Sequence, residues 1–280
     1  MSDPSVIDLA TRWQLDPAAL LVAAVVGGLY ALGVVRLGRR GRRWPGARSA
    51  AMGAAVVTGL VATQSGIGRF DTDRFWIHMV EHALLGMIVP LLAVLSAPLT
   101  LALQSARPAT RQTLRRTLRA GWARTLAHPV VAWCLFGAGL AILYLTPLLD
   151  LSARDDLVHV AVHGHLVASG SLFLAVLVGV DPLPRRPPFA GRLLALVLAV
   201  PFHTVVALAL ITASTPVAPQ AYPDLGDQRV AAGLFWGTGE IVTLVVAAVL
   251  VRQWWLAEQR AAERDDRIAD RAARATTGAT

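Results

Sequence analysis

The sequence predicts an all-α, polytopic integral membrane protein with seven transmembrane helices, its N-terminus outside and its C-terminus cytoplasmic. Three observations carry this. The 280 residues are 55% hydrophobic and only 16% charged, with a mean hydropathy of +0.55, the balance of a chain that lies mostly in lipid. Seven apolar stretches approach the ~20 residues that cross a bilayer. All 26 basic residues are arginine, and they collect in alternate loops, as the positive-inside rule requires.

The stretches cover roughly residues 18–35, 50–64, 76–95, 130–145, 157–180, 193–212 and 230–251, the second and fourth being short. Twenty-one arginines follow the first, third, fifth and seventh, from Arg36 to Arg48, Arg107 to Arg124, Arg185 to Arg192 and Arg252 to Arg274. The other side holds Arg12, Arg69, Arg74, Arg154 and Arg229. That asymmetry places the C-terminus inside. The expected organisation is an extracytoplasmic tail (1–17), a seven-helix domain (18–254) and a charged cytoplasmic tail (255–280) that forms a solvated helix. The first residues are polar and acidic without a basic leader region, so the first helix reads as a retained anchor.

Two connections carry further signals. Between 105 and 127, Leu114, Leu118 and Trp122 recur every four residues with Arg111, Arg115 and Arg119 alongside, the pattern of an amphipathic helix lying on anionic lipid headgroups. Asp181-Pro182-Leu183-Pro184 ends the fifth stretch as a turn, because proline cannot continue a helix.

Composition also excludes. A net charge of +8 does not point to nucleic acid, since the arginines lie in loops between membrane segments. Without lysine there is no retinal-type Schiff base. Cys134 stands alone, so no intrachain disulfide or CxxC forms, and it reads as a small buried hydrophobe.

The chemistry concentrates at the start of the third stretch. His78 and His82 are four residues apart on one helical face, with Glu81 beside them. Ionisable groups in hydrocarbon cost roughly 2.5–3.5 kcal/mol each, so they seldom occur without function. By the predicted topology His159 and His163, again four apart, sit at similar depth on the fifth helix. His203, after Pro201, falls near the middle of the sixth, and Glu240 halfway along the seventh, which begins at Asp227. His165 is about 200° round the helix from His163 and faces elsewhere. Five histidines and two carboxylates from four helices are thus expected to converge in the outer half of the bundle.

Three chemistries suit that cluster. Imidazole with carboxylate binds copper or zinc. Haem b needs two histidines on facing helices, with Gly86, Gly164 and Gly170 available to admit the macrocycle. His78-x-x-Glu81-His82 also matches the short inverted zinc-protease motif, although no further glutamate is placed to complete it.

The residues resemble the CtaG-type (caa3-oxidase-type) cytochrome c oxidase assembly factors of bacteria. The resemblance is carried by His78-Met79-Val80-Glu81-His82-Ala83-Leu84-Leu85, Pro90 and Ala97-Pro98-Leu99-Thr100-Leu101-Ala102-Leu103. It continues through His159, His163, Asp181-Pro182, Pro201-Phe202-His203, Tyr222, Asp227-Gln228, Ala232-Gly233-Leu234-Phe235-Trp236 and Glu240. It implies a multi-pass protein of the bacterial plasma membrane, not itself an enzyme, that helps copper reach the CuB centre of a haem–copper oxidase. The matched His78, His82, His159, His163 and His203 would be metal ligands, and Glu81, Asp227 and Glu240 supporting or gate carboxylates. Implied partners are oxidase subunit I or another assembly factor. The single-span, cysteine-based copper chaperones of oxidase assembly share neither this chain's topology nor its ligands.

Overall fold

Every regular element of the computed structural model is a helix among the described residues, 4–184 and 187–277. Arg185 and Arg186, counted above among the cytoplasmic arginines, lie outside the described residues, as do both chain ends (1–3 and 278–280).

In chain order the helices are α1 (Val6–Thr11), α2 (Pro17–Arg39), α3 (Gly46–Gln64), α4 (Gly66–Phe70) and α5 (Phe75–Ala83). A π-helical turn, Leu84–Ile88, joins α5 to α6 (Val89–Leu95). There follow α7 (Pro98–Ser105), α8 (Pro108–Arg119), α9 (Gly121–Leu126), α10 (Pro129–Leu145), α11 (Leu148–Ser152) and α12 (Asp156–Val178). Last come α13 (Phe189–Val197), α14 (Val200–Thr212) and α15 (Leu225–Thr277).

Among the described residues six segments are long and apolar enough to cross a membrane: Pro17–Arg39, Gly46–Phe70, Phe75–Leu95, Asp156–Val178, Phe189–Thr212 and Leu225–Ile268. The other expected span is the apolar α10, with 17 residues, about 26 Å at 1.5 Å per residue.

Boundaries follow local chemistry. Asp16 caps α2 by accepting from the Ala18 and Ala19 amides at 2.8 and 3.1 Å, with Pro17 opening the helix. Asp155 does the same for α12 with Leu157 and Val158, both at 3.0 Å. Gly179, at φ 58°, closes α12 in the left-handed region that glycine tolerates. The sixth stretch breaks into α13 and α14 just before Pro201, which lacks the amide needed to bond back into the preceding turn.

Carboxylates staple distant helix starts together. Asp181 in the turn after α12 accepts from the Leu99 and Thr100 amides at 3.0 and 2.7 Å and from the Thr100 hydroxyl at 2.6 Å. Asp150 on α11 accepts from Gln220 and Ala221 at 3.2 and 3.0 Å. The motifs Ala97-Pro98-Leu99-Thr100 and Asp181-Pro182, joined by bonds across 81 and 82 residues of sequence, are thus two halves of one contact.

The largest buried core joins α5, α6, α10, α12, α14 and α15, with Phe75, Tyr144, Leu177, Leu210 and Phe235 buried in it. α2 is peripheral: Leu21 and Leu29 are exposed along its length, on a surface lipid would cover. Arg192 departs from the expected basic loop. It is buried within α13, donates to the Leu177 carbonyl at 3.3 Å and Gln253 Oε1 at 3.1 Å, and lies 4.0 Å from the Phe189 ring.

The expected amphipathic helix is two helices, α8 and α9, broken at Ala120. Leu114 and Leu118 are half-buried and the arginines between them exposed, while Trp122 projects outward. The last apolar stretch and the charged tail as far as Thr277 form a single helix, α15. Cys134, expected to be buried, is exposed on α10. It occupies an outer face of an apolar helix, where a small hydrophobe meets lipid as readily as core.

Candidate metal centre

α5 enters the bundle under restraint. Its first two amides, Phe75 and Trp76, donate to the Asp227 carboxylate on α15 at 2.7 and 3.1 Å. This supplies the cap that Arg74 does not. The preceding turn carries Asp71, which is buried. Tyr222 holds that turn by donating its hydroxyl to the Asp71 carbonyl at 2.8 Å, and its ring stacks on Phe75 with centroids 5.0 Å apart.

From this anchor the helical repeat sets out His78, Glu81 and His82 one turn at a time, all buried. α12 lies alongside and presents His159 and His163. The rings pair in register: His78 with His159 at 5.7 Å and His82 with His163 at 5.3 Å. α5 and α12 therefore run parallel here. Along each helix the rings are closer still, 3.9 Å for His78 and His82 and 4.1 Å for His159 and His163.

Carboxylates complete two ligand sets. Asp71 Oδ2 lies 3.6 Å from His78 Nδ1 and 3.3 Å from His159 Nε2. Glu81 Oε1 lies 3.9 Å from His163 Nε2. Asp71, His78 and His159 form one group whose donor atoms all lie within 4.8 Å of one another, and Glu81, His159 and His163 form a second. His82 turns its Nδ1 to the Tyr144 hydroxyl at 2.9 Å.

Several donors face inward without a hydrogen-bond partner among the described residues: both nitrogens of His78, Nε2 of His82 and His163, and Oε2 of Glu81. A buried polar atom left unpaired costs about 1–3 kcal/mol, so so many in one place mark a site built for something that bonds to them. Imidazole and carboxylate are ordinary ligands for copper and zinc. Outside the spans, burial raises the Asp71 carboxyl, but the adjacent His78 imidazole and the charges of His159 and His163 outweigh it, holding it below its ordinary value. Burial, with Asp71 and Glu81 nearby, pushes the Tyr222 phenol up, so it remains a donor.

The profile of the cytochrome c oxidase caa3 assembly factors matches residues 28–257. The chain belongs to this family. It is a multi-pass bacterial membrane protein. Uncharacterised proteins of Mycobacterium bovis and Mycobacterium tuberculosis are each 33% identical to it, and one of Mycobacterium leprae is 31% identical. In each case the alignment covers 95% of this chain and 43% of the relative, so the chain spans less than half the length of those proteins. No solved structure matches the chain.

In this assembly-factor fold, His78, Glu81, His82, His159 and His163 come together as the sequence suggested. His203 does not join them. It packs between Phe136 and Phe235, with ring centroids at 5.7 and 5.5 Å, and is absent from both ligand groups. Its Cβ and ring lie within 3.4 Å of where a Gly239 side chain would start, so that glycine accommodates it. Glu240 accepts from Trp236 Nε1 at 3.2 Å on its own helix. Asp227 is chiefly the cap of α5, and it also lines the cavity outside the site. His165 is exposed and rests on Gly139.

Gly86 and Gly170 bring helices into contact instead of opening a slot: a Cβ on Gly170 would lie 2.2 Å from the Gly86 carbonyl oxygen. Sequence reasoning missed Asp71 and Tyr144. Asp71 lies in the turn between α4 and α5, outside the expected spans, and that turn brings its carboxylate beside His78 and His159.

Proposed function

We propose that this family member handles copper for the CuB centre of a haem–copper oxidase, as a non-enzymatic assembly factor in the bacterial plasma membrane. The observation that carries the reading is the convergence of unpartnered donor atoms from His78, Glu81, His82 and His163 on one buried place beside His159 and Asp71. All the ligands are nitrogen or oxygen. Such a set binds copper less tightly than thiolates do, which favours release to a partner. Transfer is exchange of ligands, with imidazoles in the neutral form.

The orientation belongs to the same proposal. With α10 taken as a seventh span, Asp71, Arg69, Arg74, Arg154 and Arg229 fall on one side of the bundle, and the arginine-rich segments 40–48 and 107–124 on the other. The positive-inside rule then puts the Asp71 end outside. Metal arrives from the outer face, and the partner is oxidase subunit I or another assembly factor. α8, with Arg111, Arg115, Arg116 and Arg119, lies against anionic lipid headgroups on the inner side.

The test is the oxidase made by cells carrying His78→Ala with His82→Ala. Oxidase activity and CuB occupancy should fall while haem content is retained. Normal CuB occupancy would sink the proposal.

A further inference from the structure

We propose that the site holds one ion in two successive positions, with His159 as the ligand common to both. This rests on the metal-handling reading above. The outer position is formed by Asp71, His78 and His159, the inner one by Glu81, His159 and His163.

The order follows from what lies beside each set. A cavity of about 320 Å³ sits at the Asp71 end of the bundle, lined by Asp8, Asp73, Asp224 and Asp227 with Arg12 and Arg74. Tyr222 forms part of its wall and donates to the Asp71 carbonyl. Its ring is also 5.5 Å from that of His78. The Asp71 position is therefore next to the cavity. Glu81 and His163 lie about one helical turn further along α5 and α12, which run parallel.

His159 makes the positions alternatives. Its Nε2 is 3.3 Å from Asp71 Oδ2, and its ring is 4.1 Å from that of His163. One imidazole nitrogen serves one ion at a time, and two cations within one turn of each other repel strongly where water is scarce. Passage inward then breaks the bonds to Asp71 and His78 and forms bonds to the Glu81 carboxylate and the neutral His163 imidazole. The bond to His159 persists, and the ion's oxidation state does not change. A ligand held throughout means the ion never loses all its protein bonds in a buried setting, where desolvated charge is costly.

The test is electron paramagnetic resonance of the detergent-purified full chain with one equivalent of Cu(II), alongside competition with a chromophoric chelator. The wild type should bind one copper per chain and show two superposed spectra. Asp71→Asn should remove one spectrum and Glu81→Gln the other, each with affinity reduced only about twofold to tenfold because the alternative position survives. His159→Ala should lose both, with affinity falling roughly 100-fold. Should His159→Ala fail to fold, the two isosteric variants carry the test. A single spectrum untouched by either Asp71→Asn or Glu81→Gln overturns the two-position scheme and leaves metal handling standing. Two coppers per chain with dipolar splitting also overturn it, in favour of a dinuclear centre. A wild type that binds no copper removes the metal-handling reading itself.

Discussion

Gly170→Ala probes the helix contact that sets the distance between the two histidine pairs. The new Cβ would meet the Gly86 carbonyl oxygen at 2.2 Å and Pro90 Cγ at 3.1 Å. Carbon and carbonyl oxygen rest at about 3.3–3.6 Å, so α12 must move away from the π-helical turn by roughly 1 Å. Overpacking of this kind costs about 1–3 kcal/mol, more than the 0.5–1 kcal/mol or so that alanine gains over glycine inside a helix. Gly170 is seven residues beyond His163, about 10 Å along the axis, so much of the displacement reaches the site. Metal–ligand bonds tolerate only about 0.2 Å, so copper affinity should fall along with thermal stability. Gly164→Ala is the control on the same helix. Nothing lies within 4 Å of its Cβ position, and it should hold or raise stability. The assay is thermal unfolding in detergent paired with a copper titration. A Gly170→Ala protein as stable as Gly164→Ala, with wild-type affinity, would refute the close-contact reasoning.

Other consequences follow from single contacts. Tyr144→Phe leaves His82 Nδ1 without its 2.9 Å partner and should destabilise the protein by about 1–3 kcal/mol, read as a lower melting temperature. Asp227→Ala removes the cap on Phe75 and Trp76 and should cost about 0.5–2 kcal/mol. It should also weaken copper binding, since His78 lies in the next turn. Asp71, with its carboxyl held low, contributes stability that is present above the ordinary carboxylate value of about 3.9 and is lost as pH falls through its depressed native value. Asp71→Asn should therefore lack that part of the acid denaturation limb, as followed by helical circular dichroism between neutral and strongly acid pH.

The membrane architecture was legible because lipid imposes it. Long apolar runs leave few alternatives to membrane-crossing helices, and among the described residues six of the seven expected stretches fall on helices long and apolar enough to cross, the last running on to Ile268. His78, His82, His159 and His163 were legible because an i, i+4 spacing fixes a common face whatever the tertiary fold. What escaped depends on contacts between distant segments. His203 has the right residue type and an intramembrane position, but the break between α13 and α14 and the rings of Phe136 and Phe235 direct it elsewhere. Asp71 is brought in by a turn that Tyr222 holds from 151 residues away. Asp181 and Asp227 looked like a turn and a gate. Their caps on α7 and α5 appear only once the helix ends are placed side by side.

The most direct measurement is elemental analysis of the detergent-purified protein, run beside an optical spectrum. Copper at one ion per chain, lost in His159→Ala and unaccompanied by a Soret band, is the result expected. A protein free of stoichiometric metal, or one carrying a reduced-minus-oxidised haem signal, would contradict the copper-handling account.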